Sequence, residues 1–129
     1  MHHRVNSVIH LASASYWALA LGVLSSVAPF YSLLGFPVWA GTGVGLLGID
    51  LLAGVKQWRS PFSGRVFSIM LHFSVAILIV SLITFEYLQA EPESFLVWFR
   101  TNDYWFVAVL AIVRLWAGNA LLFGNKDIH

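Results

Sequence analysis

The chain contains no cysteine. Disulfides, thiolate metal ligation and thiol redox chemistry are therefore excluded, and the compartment stays open. Charge is also scarce. Asp, Glu, Lys and Arg make up 10% of the 129 residues, against about 25% in a typical soluble domain. The net charge of +1 gives no reason to expect a nucleic-acid partner. No motif pairs a serine nucleophile with a base. No convincing metal cluster occurs either, since His2, His3 and His129 are terminal and meet only if the termini meet. Catalysis thus has little support, and a non-enzymatic role is expected.

Apolar surface is what the sequence has in excess. The chain is 59% hydrophobic with a mean hydropathy of +0.78. A small soluble domain hides only about 60–70% of the surface its unfolded chain exposes. So much apolar surface is expected to face a lipid bilayer. A membrane-spanning helix needs about 20 mostly apolar residues. Four runs qualify, at about residues 5–28, 38–55, 66–85 and 104–123. The expected fold is one all-α domain over residues 1–129, with four transmembrane helices in an up-and-down bundle. The small residues of Ser26-Val27-Ala28 resemble a cleavage site. However, Pro29 would follow the cut and the apolar run is long for a signal peptide, so a retained span is expected.

Basic residues orient the spans. Arg4 precedes the first, Lys56, Arg59 and Arg65 separate the second and third, and Lys126 follows the fourth. The other loops carry Arg100 against Glu86, Glu91, Glu93 and Asp103. Both termini are expected in the cytoplasm, and the pattern suits a bacterial cytoplasmic (inner) membrane. In the outer loop, the apolar stretch from Ser94 to Arg100 predicts a short interfacial helix. Pro92 and Glu93 would form its first turn, after a cap at Ala90 or Glu91. Trp39, Tyr87, Trp98, Tyr104 and Trp105 are expected to form an outer aromatic belt, with Trp58 as an inner anchor.

Each span carries one costly ionisable residue: His10, Asp50, His72 and Arg114. Measured from the flanks, His10 and Asp50 lie ~9 Å deep, His72 ~10 Å and Arg114 ~16 Å. Helical periodicity groups Asn6, Ser7, His10, Ala14 and Trp17 on one stripe. Arg65, Ser68, His72, Ala76 and Glu86 form another, and Arg114 lies with Val107, Ala111 and Gly118. A polar layer in the cytoplasmic half is the expected result. Three roles compete for it. It can be a satisfied network built on an Asp50–Arg114 pair. It can hold a cofactor, with His10 and His72 ligating haem b, or with one histidine and Asp50 binding a quinone. It can be an ion or proton path in an oligomeric channel or proton-coupled transporter, with Glu86 near the entrance.

The stretch Gly43-Val44-Gly45-Leu46-Leu47-Gly48 matches the dinucleotide fingerprint G-x-G-x-x-G. It lies inside a span, and Asp50 follows only two residues later, so nucleotide binding is not expected. On a helix, Gly41, Gly45 and Gly48 share one face, and Gly43 and Gly54 fall with Asp50 on the opposite one. Gly41-x-x-x-Gly45 is a close-packing motif for a neighbouring helix. Asn119 points away from Arg114, towards a neighbouring helix or its own backbone. The leading expectation is a membrane subunit of a homo-oligomer or a larger complex.

Overall fold

A computed structural model describes residues 2–22, 30–102 and 104–124. Among these the chain is helical, with no strand. The helices are α1 (His3–Gly22), α2 (Tyr31–Leu34), α3 (Phe36–Arg59), α4 (Arg65–Ala90), α5 (Phe95–Thr101) and α6 (Trp105–Phe123). Three of them, α3, α4 and α6, are long and apolar enough to cross a membrane. The end of the first predicted span, the Ser26–Ala28 site with Pro29, and Asp103, Lys126 and His129 lie outside the described residues.

Helix α1 has 20 residues, enough for a span. Its hydropathy is diluted by Asn6, Ser7, His10 and Ser13, all on the buried face. Its outward face carries exposed Val5, Val8 and Leu19. The whole chain shares this inversion. Asn6, Ser7, His10, Ser13, Asp50, Gln57, Ser68, His72 and Arg114 are buried, whereas Val44, Leu52, Ile77, Phe106 and Ile112 are exposed. A protein in water would expose the first set and bury the second. Three exposed polar side chains inside the helices bond to their own backbone. Ser15 donates to the Leu11 carbonyl, Thr84 to Val80 and Asn119 to Leu115. Such bonds let a hydroxyl or amide face lipid without an unmet donor.

The long helices associate as two pairs, α1 along α3 and α4 along α6. Three glycines set the closeness. A Cβ on Gly43 would stand 2.9 Å from Leu21, one on Gly54 2.8 Å from Leu11, and one on Gly118 3.0 Å from Phe73. At Gly41, Gly45 and Gly48 a Cβ would meet nothing within 4 Å. No described part of the chain packs on that face of α3.

Helix boundaries follow local chemistry. Pro37 stands in the first turn of α3, where a missing N–H is harmless. Helix α5 begins later than its sequence suggests. Ser94 is its cap, accepting from the Val97 N–H, and Pro92 and Glu93 precede it. Glu91 instead ends α4 in the left-handed region. Two members of the expected aromatic belt, Trp39 and Tyr104, are buried against other aromatic rings. Trp39 packs edge-on to Tyr31, and Tyr104 stacks on Phe30. Trp58 is exposed, with the Arg4 guanidinium 4.6 Å from its ring.

Candidate functional site

His10 on α1, Asp50 on α3, His72 on α4 and Arg114 on α6 meet in one cluster with no exposed surface. Asp50 is its centre. Arg114 approaches the carboxylate in bidentate fashion, Nη1 to Oδ2 at 2.9 Å and Nη2 to Oδ1 at 2.8 Å. The His10 Nδ1–H donates to Oδ1 at 2.9 Å. Ser13 donates to Oδ2 at 3.0 Å, and Trp17 donates its indole N–H to the same oxygen at 3.3 Å. Ser13 Oγ accepts in turn from Arg114 Nη1 at 2.6 Å. The two carboxylate oxygens offer about four lone-pair sites, so five donors saturate them.

Asn6 joins the other half of the cluster. Its amide donates to Gln57 Oε1 at 3.1 Å and to Ser68 Oγ at 2.8 Å, using both N–H groups. Its Oδ1 accepts from His72 Nε2 at 2.6 Å. Ser68 Oγ lies 2.6 Å from His10 Nε2. A neutral pair of histidines satisfies these contacts. With Nδ1–H on Asp50, His10 accepts at Nε2 from the Ser68 hydroxyl and is neutral. His72 carries its proton on Nε2 and is neutral too. The layer thus holds one negative and one positive charge, in direct contact.

Lower contacts extend the network to the basic end of the helices. Ser7 donates to the Gly54 carbonyl at 2.5 Å, locking α1 to α3. Gln57 donates to the Ser63 carbonyl at 2.6 Å, and His3 Nδ1 donates to the Gln57 carbonyl at 2.6 Å. Arg65 reaches across to the Leu121 carbonyl, tying α4 to α6. Ser13 and Gln57 have no part in the sequence reading. Their signals were spacing: Ser13 stands three residues after His10 and Gln57 seven after Asp50, on the same helical faces.

The geometry lends the haem expectation for His10 and His72 no support. Their rings stack face to face, with centroids 4.2 Å apart and planes at 16°. Axial haem ligands must aim nitrogens at one iron from opposite sides, with the macrocycle between them. Stacked rings leave no such gap. Both His10 nitrogens and His72 Nε2 already have protein partners. A quinone on one histidine and Asp50 meets the same obstacle. The cavity beside the layer, lined by Trp17, Phe30, Trp39, Thr42, Ile79 and Val107, has a volume of only 40 Å³. Ligand pockets usually measure about 300–1,000 Å³. No group of three or more metal-binding side chains occurs among the described residues.

Ser68, His10 and Asp50 form a hydrogen-bonded sequence in the order nucleophile, base and orienting acid, and the chain sequence gave no motif for it. Three features argue against acyl transfer. Ser68 has no exposed surface. Its oxygen already accepts from Asn6. Arg114 neutralises the carboxylate that would stabilise an imidazolium. A fluorophosphonate probe is therefore expected to leave Ser68 unlabelled in the folded protein, as read by peptide mass spectrometry. Labelling there would reopen a hydrolytic role.

No known protein family, curated protein or solved structure matches this chain.

Proposed function

We propose that this protein is a non-enzymatic integral membrane subunit whose buried polar layer clamps its helices together. In this reading α1, α3, α4 and α6 all cross the membrane as one up-and-down four-span domain. The apolar outer face of α1 supports its inclusion. Arg4, Lys56, Arg59 and Arg65 at one end, against Glu86, Glu91 and Glu93 at the other, support both termini on the cytoplasmic side. A bacterial cytoplasmic membrane fits this distribution.

The observation that carries the clamp is the saturation of Asp50 by donors from α1 and α6. Lipid helices lack a hydrophobic drive to associate, so packing and interhelical hydrogen bonds must supply it. An ion or proton path has less support, because the Asp50 and Arg114 charges neutralise each other in direct contact and have no exposed surface. Assembly with a second copy or another membrane subunit draws on the free Gly41, Gly45 and Gly48 face of α3, where a partner helix can approach the backbone.

The test is mass measurement in mild detergent. The reading expects a particle larger than one 14.4 kDa chain. Gly45→Leu should reduce it to a single folded chain, since a leucine side chain blocks close approach. A lone wild-type chain without a co-purifying partner would overturn the assembly proposal.

A further inference from the structure

A second site lies at the far end of the helices from the polar layer. Leu33, Glu86, Gln89, Ala90, Trp98 and Asn102 line an open cleft of about 350 Å³ between α2, α4 and α5. Glu86 is partly buried there. It makes no hydrogen bond or ion pair with any described residue, and Arg100 of α5 does not pair with it. A carboxylate that has lost part of its hydration without gaining a partner among the described residues is costly, and such a group commonly marks a site.

The other walls suit a cation. The Trp98 indole is fixed by Tyr87 at 5.4 Å and Tyr104 at 5.1 Å, centroid to centroid. Aromatic rings beside a carboxylate attract ammonium groups through the ring quadrupole and the charge together. Asn102 donates one amide N–H to the Trp98 carbonyl at 2.8 Å, and its Oδ1 remains an acceptor. Exposed Glu91 and Glu93 add negative potential at the same end.

We infer that this cleft binds an ammonium group, with Glu86 as counter-ion and Trp98 as the aromatic wall. The inference rests on the membrane placement proposed above. Glu86 stands 21 residues beyond Arg65 on α4, ~32 Å along the helix, at headgroup level when Arg65 is at the other surface. The ammonium can come from a zwitterionic phospholipid or from a free small amine.

The full chain in mild detergent is delipidated and examined by native mass spectrometry. It is titrated with phosphatidylethanolamine, phosphatidylglycerol and choline. Wild type should retain phosphatidylethanolamine or choline about tenfold better than phosphatidylglycerol, the size of one partly desolvated cation–π and ion contact. Retention of the lipid alone identifies a headgroup, and retention of choline alone a soluble amine. Glu86→Gln and Trp98→Ala should each abolish the preference, with helix content by circular dichroism unchanged. Trp98→Ala decides the matter if Glu86→Gln does not fold. Equal binding of all three probes, or an unchanged preference in the folded variants, overturns the inference. Failure of the membrane placement shows separately, as release of the chain from membranes by alkaline carbonate.

Discussion

Replacing Asp50 with alanine is expected to destabilise the protein by about 3–5 kcal/mol, as is replacing Arg114 with alanine. The reason is what each change leaves behind. Without Asp50, the Arg114 guanidinium remains at 0% exposure with only Ser13 to accept from it among the described residues. Without Arg114, the carboxylate keeps its charge among neutral donors. A buried ion pair contributes little net stability over an apolar pair, but breaking one strands an uncompensated charge. Both variants should unfold at clearly lower temperature in mild detergent. An effect below about 1 kcal/mol would mean that water reaches the pair, as at an exposed ion pair.

Asn6→Ala is expected to cost about 2–4 kcal/mol, from several buried groups left unpaired at once. Gln57 Oε1 and His72 Nε2 each lose a partner, and Ser68 loses its donor. Those groups belong to α3 and α4, so one α1 side chain joins elements from both helix pairs. His10 is not expected to compensate, because both of its ring nitrogens are already engaged. The check is thermal unfolding beside Ser15→Ala. Ser15 bonds only within its own helix and is expected to shift the midpoint little. Equal shifts for the two variants would remove Asn6 from the clamp.

The ionisable members of the layer were readable from the sequence because charge is so rare in apolar runs. Asp50 and Arg114 stand out for that reason, and depth counting puts His10, Asp50 and His72 at one level. Their mutual geometry was not readable. Helical periodicity gives the face of a residue on its own helix, but not which helix lies opposite. The pairing of α1 with α3 depends on Leu11 and Leu21 reaching Gly54 and Gly43. Those contacts carry no signature beyond small and large apolar residues. The stacked histidines follow from that packing, which is why His10 and His72 read from sequence as facing ligands and prove to be neighbours. The start of α5 was misplaced for a local reason: Ser94 outcompetes the residues before it as a cap, because its hydroxyl can accept a backbone N–H.

The central claim is that the polar layer is closed, each charge serving the other. A double-mutant cycle on Asp50 and Arg114 tests it most directly, by thermal unfolding in mild detergent. The account predicts that Asp50→Ala combined with Arg114→Ala costs no more than either change alone, a coupling of at least about 3–5 kcal/mol. Additive losses would contradict it, and would mean that each charge answers to something other than its partner.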